Sequence, residues 1–158
     1  MISEYVFRPL FISEWEEAMR LAWDTFLLYE APEYSKEGIK NFKNFIKDPV
    51  LKKLFVNGAY HTIAAFYNGL MVGIIGLRNE NHISLLFVDR DFHRKGIAKR
   101  LVHDMEHFVS DKYNVSFLTV NSSPYAREFY HKIGFIDTNV ELVADGIRYT
   151  PMKKDIFY

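Results

Sequence analysis

The amino-acid sequence predicts a mixed α/β domain whose central, mostly antiparallel sheet is flanked by about four helices. Its 158 residues suffice for one sizeable core. A hydrophobic content of 49% indicates a packed globular protein rather than a disordered one. Segments with helical and with strand periodicity follow one another along the chain. Because no repeat or Gly/Ser-rich linker interrupts them, we expect residues 1–158 to form a single domain.

The first third of the chain predicts one strand and two helices. The strand covers residues 4–10. A capping-box pattern that begins at Ser13 then starts a helix, which runs to about Tyr29. Ser35 can cap a second helix. Asp48-Pro49 ends that helix, because the residue before a proline avoids helical dihedral angles.

A β meander is predicted next. Residues 61–67 and 70–77 are apolar runs that flank Asn68-Gly69. This dipeptide is a strong signal for a hairpin turn, because both of its residues tolerate the positive φ angles that such turns require. A third strand at residues 82–88 follows a polar turn and completes the meander.

Helices and strands alternate in the second half of the chain. Ile97, Leu101 and Met105 share one face of a predicted helix. A continuous apolar strand at residues 115–120 follows, as expected for the interior of a sheet. The last predicted elements are a helix that Ser123 caps and Gly134 ends, and two strands at residues 135–143 and 147–154.

Charge and cysteine content exclude several classes of function. Twenty basic and twenty acidic residues cancel, so net charge indicates neither a nucleic-acid partner nor a membrane partner. The absence of cysteine excludes disulfides, thiolate zinc sites and a cysteine nucleophile. The N-terminus lacks the signal-peptide pattern, and no apolar run approaches the roughly 20 residues that span a bilayer. We therefore expect a cytoplasmic protein with no metal cofactor.

The stretch from Phe87 to Met105 joins an apolar strand to a helix through a basic turn. The first turn of a helix has unpaired N–H groups and a partial positive charge, and Gly96 lets a ligand approach the backbone closely. Nearby positive charge comes from Arg94, Lys95, Lys99 and Arg100. Two interpretations remain open at this point, a solvated basic helix start and a cradle for a diphosphate. The glycine patterns of Walker and dinucleotide-binding loops are both absent.

Two motifs, together with the order of the elements, resemble the GNAT N-acetyltransferase superfamily. Residues 93–98, His-Arg-Lys-Gly-Ile-Ala, are similar to the acyl-CoA pyrophosphate loop Gln/Arg-x-x-Gly-x-Gly/Ala. Residues 121–135 resemble the second signature, in which Asn is followed by Ala-x-x-Phe-Tyr-x-x-x-Gly-Phe. His93 departs from the first motif, although an imidazole can still bond a phosphate or the loop. The resemblance implies the GNAT fold, with a sheet splayed between strands four and five.

The resemblance also implies roles for individual residues in binding acetyl-CoA. The backbone of strand four would pair with the pantetheine arm, and the amide of Asn121 would contact that arm. The implied acetyl-CoA contacts are Leu86, Phe87, Val88, His93, Arg94, Lys95, Gly96, Ile97, Ala98, Lys99 and Asn121. Tyr130 matches the family's general acid, which protonates the departing thiolate. An ordinary core aromatic is the alternative interpretation of Tyr130.

A base is needed because an alkylammonium acceptor is protonated at neutral pH. His82 falls where several enzymes of the family carry Glu or His on strand four, so we expect it to be that base, with Glu80 in reserve. The alternative is a histidine that faces solvent at the start of a strand. In this fold, the segment with Glu30, Glu33 and Tyr34 borders the acceptor pocket. Its carboxylates could hold a cationic substrate or form only a charged loop.

These implications together predict an N-acetyltransferase. We expect it to move an acetyl group from acetyl-CoA to a primary amine, on a small molecule or a peptide, by direct attack in a ternary complex. The sequence identifies neither the acceptor nor the length of the acyl group, and the family's frequent dimerisation leaves a homodimer open. Two alternatives remain, a non-catalytic acyl-CoA-binding or regulatory module and a nucleotide-binding protein that uses the same helix N-terminus.

Overall fold

The computed structural model describes residues 4–157, which contain eight strands and five α-helices. The strands are β1 Tyr5–Pro9, β2 His61–Tyr67, β3 Leu70–Arg78, β4 His82–Val88, β5 Phe117–Ser122, β6 Ile136–Asp137, β7 Leu142–Ala144 and β8 Ile147–Asp155. The helices are α1 Trp15–Tyr29, α2 Lys36–Lys47, α3 Pro49–Val56, α4 Ile97–Tyr113 and α5 Arg127–Lys132. The predicted mixed α/β class is confirmed.

The strands form one sheet in the order β1-β2-β3-β4-β5-β8-β6, and β7 pairs with β8. Neighbouring strands are antiparallel except β4 and β5, which are parallel. The pairing of β4 with β5 is confined to His82↔Thr119 and Ile83↔Val120. Beyond Ile83 the two strands separate, so the rest of β4 faces a gap on that side. The predicted splay between strands four and five is therefore confirmed.

Helices cover both faces of the sheet and bury a separate core on each face. One core joins α1, α2 and α3 to the sheet and includes Trp15, Phe26 and Ile46. The other lies beneath α4 and α5 and includes Leu101 and Met105. Among residues 4–157, no helix is both long enough and apolar enough to cross a membrane.

Local sequence signals explain the β meander and one irregularity in it. Asn68 and Gly69 have φ angles of 49° and 83°, as the predicted hairpin turn between β2 and β3 requires. The register of β3 with β4 changes from Gly76↔Leu85 to Leu77↔Ile83, which leaves Ser84 as the extra residue of a β-bulge. The bulge bends β4 near the point where it separates from β5.

Helix caps differ in part from the prediction. At the start of α1, the carboxylate of Glu14 accepts the Phe11 N–H at 2.8 Å, so the predicted capping box at Ser13 is wrong. Ser35 caps α2 as predicted, through a 3.1 Å hydrogen bond from the Gly38 N–H. Asp48 ends α2 and also caps α3, which the sequence reasoning missed, by accepting the N–H of residue 50.

The C-terminal strands also differ from the prediction. The single strand expected at residues 135–143 is divided into the short strands β6 and β7. The turn between β7 and β8 docks on the N-terminal part of α2. There the Asn41 side-chain amide donates to the carbonyl of Asp145 at 3.0 Å, and the Ser35 hydroxyl donates to the carbonyl of Gly146 at 3.3 Å. The hairpin therefore holds the segment that connects α1 with α2.

Candidate active site

A cavity of about 510 Å³ opens at the gap where β4 separates from β5. The end of β4, the turn before α4, the end of α1 and helix α5 all contribute to its wall. The lining residues are Thr25, Tyr29, Glu30, Leu86, Phe87, Val88, Phe92, His93, Arg94, Gly96, Ile97, Ala98, Lys99, Tyr125, Ala126, Glu128, Phe129, Tyr130 and Lys132. Basic groups lie at the α4 end of this cavity, and Glu30 enters it from α1.

The basic end of the cavity is the N-terminus of α4. Gly96 precedes the helix with a φ of 78°, and no side chain caps the helix there. A Cβ on Gly96 would meet no atom within 4 Å, so this backbone is open to a ligand. Arg94 and Lys99 line the cavity beside it. Uncapped N–H groups, the helix dipole and two cations together suit a diphosphate.

The side chain of His93 bonds to the protein itself and does not point its Nε2 at the position of a phosphate. Its Nε2 lies 2.7 Å from the carbonyl oxygen of Val88. A carbonyl can only accept, so Nε2 carries the hydrogen. The imidazole also packs against the ring of Tyr29, with centroids 4.9 Å apart. His93 therefore fixes the turn to the end of β4 and to α1.

Another part of the cavity wall contains a carboxylate and a buried tyrosine. Burial raises the pKa of Glu30 to about 7, the charge of Glu33 adds to this effect, and the hydrogen bond from Tyr34 opposes it. The Tyr34 hydroxyl donates to Oε1 of Glu30 at 3.4 Å. Tyr130 is 4% exposed, and burial together with the charge of Glu30 raises its pKa. Its hydroxyl makes no hydrogen bond within residues 4–157, so it remains available to a ligand.

The structure brings most of the predicted site residues together. Gly96 and its basic neighbours, the end of β4, Tyr130 and Glu30 all line one cavity. Five predicted residues do not line it: His82, Lys95, Asn121, Glu33 and Tyr34. Asn121 is exposed on β5 opposite Pro151, and Glu33 pairs with Arg148 at 3.9 Å. Tyr34 acts on the cavity only through its hydrogen bond to Glu30.

His82 lies at the closed end of the splay, away from the cavity. Its Nδ1 is 2.8 Å from the hydroxyl of Thr119, and it pairs with that residue across β4 and β5. A strand rises about 3.3 Å per residue, so His82 is roughly 13 Å from Leu86, the nearest residue of β4 that lines the cavity. A base must reach the acceptor nitrogen directly or through one water. This placement therefore argues against the predicted role of His82, and the same holds for Glu80 in the preceding turn.

Four aromatic residues of the cavity wall were not predicted from the sequence: Tyr29, Phe92, Tyr125 and Phe129. Tyr29, at the end of α1, stacks on Tyr125 with ring centroids 5.0 Å apart. Together with His93, they form a row of three rings that connects α1 to both sides of the gap. Tyr125 lies within the second motif, which is the signal that the sequence offers for it. Tyr29 carries no comparable signal, because only the fold brings the end of α1 to the gap.

Strands β4 and β5 separate after two residue pairs, and the N-terminus of α4 lies uncapped at the gap between them. This arrangement is the one expected of the GNAT class of folds. The family model for the acetyltransferase (GNAT) domain matches residues 30–156. The chain therefore belongs to the GNAT acetyltransferase family, and this membership supports acetyl transfer in general.

Solved structures of acetyltransferases share the whole fold. A GCN5-related N-acetyltransferase from Rhodopseudomonas palustris is 22% identical, with 99% of this chain and 98% of that chain covered and a TM-score of 0.82. PaiA N-acetyltransferase from Thermoplasma acidophilum, in complex with coenzyme A, is 20% identical, with 96% and 99% covered and a TM-score of 0.80. A spermidine N-acetyltransferase from Vibrio cholerae is 14% identical, with 96% and 94% covered and a TM-score of 0.66. At these identities the similarity establishes the fold alone.

No curated protein sequence matches the chain significantly. In the part of the chain that the structure describes, no group of three or more His, Asp or Glu side chains is arranged to hold a metal ion.

Proposed function

We propose that this protein is an N-acetyltransferase that moves an acetyl group from acetyl-CoA to a primary amine by direct attack in a ternary complex. The observation that carries the proposal is that one cavity brings together cationic groups, a carboxylate and a buried hydroxyl. Its α4 end offers uncapped N–H groups with Arg94 and Lys99, and its other part offers the carboxylate of Glu30 and the hydroxyl of Tyr130. Such a cavity offers cationic groups to an anionic donor and a carboxylate to a cationic acceptor.

The phosphates and the pantetheine arm of acetyl-CoA fit different parts of this cavity. The diphosphate suits the turn at Gly96, where a ligand can approach the backbone without meeting a side chain. The arm suits the edge of β4 at residues 86–88, which has no strand partner on the side of β5. An extended arm there can accept and donate hydrogen bonds as an additional strand would.

Tyr130 is the proposed general acid. The acceptor nitrogen attacks the thioester carbon, and collapse of the tetrahedral intermediate breaks the carbon–sulfur bond. The Tyr130 hydroxyl donates its proton to the departing sulfur, and the tyrosine regains a proton released by the acceptor nitrogen. Its raised pKa keeps the hydroxyl protonated until the sulfur leaves. Since the amine attacks directly, no nucleophilic side chain is needed.

An assay of CoA thiol release tests this function. Wild-type protein with acetyl-CoA should release thiol only when a primary amine is added, and the panel should include monoamines, diamines and lysine peptides. A thermal shift measured with acetyl-CoA in the same experiment reports binding. Binding of acetyl-CoA without release for any amine would contradict the enzyme and favour the non-catalytic module of the same fold.

A further inference from the structure

Glu30 is distinguished from the other carboxylates near the cavity by its lack of an ion-pair partner within residues 4–157. Glu128 also lines the cavity, but it pairs with Lys132 at 3.3 Å. Glu33, just outside, is near Arg148 at 3.9 Å. Of the carboxylates in the described cavity wall, only Glu30 can bind an added cation without first breaking an ion pair within the protein.

Tyrosine side chains lie around Glu30 on two sides. Tyr34, from the turn after α1, donates its hydroxyl to Glu30. Tyr125 and Tyr130 lie on the α5 side, where burial raises the pKa of both hydroxyls and the charge of Glu30 raises it further. Tyr29 stacks on Tyr125. Aromatic faces attract cations, and aromatic rings combined with a carboxylate form a recognised kind of site for alkylammonium groups.

We propose that the acceptor is a monoamine, with one primary ammonium on an aromatic or aliphatic body, and that Glu30 holds this ammonium among the tyrosine rings. The inference rests on the proposed acetyl transfer and specifies its substrate class. The body of such an amine would lie against apolar surface that Tyr29, Tyr125 and Phe129 provide in the cavity wall. Burial of that body would add to binding roughly in proportion to its apolar area.

The charges of the cavity disfavour a polycation. A second ammonium would need a second unpaired carboxylate, and the described lining offers none. Towards α4 it would instead meet Arg94 and Lys99, whose charge repels it. Specificity of this kind comes as much from repulsion of the wrong ligand as from attraction of the right one.

Glu30 is also placed to remove the proton that blocks attack. In its ionised form it can take one proton from the bound ammonium, which leaves a neutral amine and a neutral carboxylic acid. The lone pair of the amine then forms the new carbon–nitrogen bond, and Glu30 returns its proton to water after the product leaves. A pKa of about 7 suits this exchange at neutral pH. The ionisable groups that face Glu30 are Tyr34 and Glu33 after α1, and Tyr125 and Tyr130 on the α5 side.

A matched pair of amines tests the substrate class. Hexylamine and 1,6-diaminohexane have the same chain, but the second carries an additional ammonium in place of a methyl group. We expect kcat/KM to be at least about tenfold higher for hexylamine, and 2-phenylethylamine to exceed spermidine in the same way. Equal or better turnover of the diamine and spermidine overturns the inference. So does a failure to acetylate any monoamine while acetyl-CoA binds.

Variants of Glu30 test its role. Glu30→Gln should raise KM for hexylamine and lower kcat, and should abolish the rise of kcat/KM through about pH 7, while acetyl-CoA still raises Tm. Glu17→Gln, on the exposed face of the same helix, is the control and should leave all three unchanged. An unchanged pH profile in Glu30→Gln overturns its role as base.

The experiments distinguish a failure of acetyl transfer from a failure of the monoamine substrate class. If wild-type protein does not bind acetyl-CoA, the proposed acetyl transfer fails. If it binds acetyl-CoA and acetylates diamines in preference to monoamines, acetyl transfer stands and only the monoamine inference fails.

Discussion

A methyl group on Gly38 would lie 2.8 Å from the carbonyl carbon of Gly146, well inside van der Waals contact. Gly38 belongs to the first turn of α2, and Gly146 forms the tip of the β7–β8 hairpin. The two backbones can approach this closely only because neither residue has a side chain. This approach fixes the hairpin against the segment that follows Glu30.

Replacement of Gly38 by alanine should therefore destabilise the protein. In an ordinary helix the change would stabilise it by about 0.5–1 kcal/mol. Here the methyl group meets backbone that cannot rotate away, so we expect the free energy of unfolding to fall by about 1–3 kcal/mol. Urea denaturation measures the change, and Lys40→Ala on the exposed side of α2 is the control. Unchanged or greater stability of Gly38→Ala would show that the hairpin tip moves aside freely.

Gly96→Glu should abolish the stabilisation of the protein by acetyl-CoA, because its side chain and negative charge would occupy the diphosphate position. Gly69→Glu provides a matched control, since Gly69 also has a φ near +80° and open space around its Cβ position. Both variants carry the same backbone strain, and only one of them is at the cavity. Thermal shift with and without acetyl-CoA makes the measurement. An equal shift in the two variants would refute the position of the diphosphate.

Tyr130→Phe should lower kcat by roughly 10²–10⁴-fold, because it keeps the ring and deletes the proton. The increase in Tm with acetyl-CoA should persist. Tyr113→Phe, at the end of α4 and away from the cavity, should behave as wild type. If acetyl-CoA binding is lost together with turnover, Tyr130 holds the ligand rather than donating a proton.

His93→Ala should loosen the turn before α4, because it removes both the hydrogen bond to Val88 and the contact with Tyr29. We expect the free energy of unfolding to fall by about 1–2 kcal/mol and acetyl-CoA to bind more weakly. His93→Gln can still donate to Val88 and should lose less of both. Calorimetric titration and urea denaturation measure the two effects. Equal affinities in the three proteins would exclude a role for His93 in shaping the loop.

The pKa of Glu30 predicts a pH dependence of stability. Its pKa in the folded protein is about 7, against an ordinary value of 4.5. Between these values the folded protein holds a proton that the unfolded chain has released, so the contribution of Glu30 to the free energy of unfolding falls as pH rises. The stability of Glu30→Gln relative to wild type should therefore increase from about pH 4.5 to about pH 7 and then level off. A constant difference across this range would contradict the raised pKa.

Sequence predicted best those features that a few adjacent residues determine. Asn68-Gly69 specifies its turn locally, and β2 and β4 have the predicted bounds. The cap at Ser13 is wrong because Glu14 offers a competing carboxylate, which an arginine on β1 also binds. Helix α3 was missed because Pro49 signals both the end of one helix and the first turn of the next.

The sequence predicts the site only at positions that lie within a recognisable motif. The turn at Gly96 and the position of Tyr130 follow from two motifs, and both residues line the cavity. His82 was selected by its place along β4, but distance from the reacting atoms depends on where the strands separate. The convergence of Tyr29 and Tyr125 on Glu30 joins segments almost a hundred residues apart, and no local pattern encodes it.

The two halves of the sheet are joined by very few strand pairs. Within the described chain, strand pairing connects the half formed by β1–β4 to the half formed by β5–β8 at two residue pairs, which the His82–Thr119 side-chain contact reinforces. The cleft therefore has its closed end at His82 and Thr119 and widens from there. A ligand that bridges the cleft would add contacts between the two halves. His82 thus lies at the closed end, where its hydrogen bond with Thr119 adds to the two strand pairs that join β4 to β5.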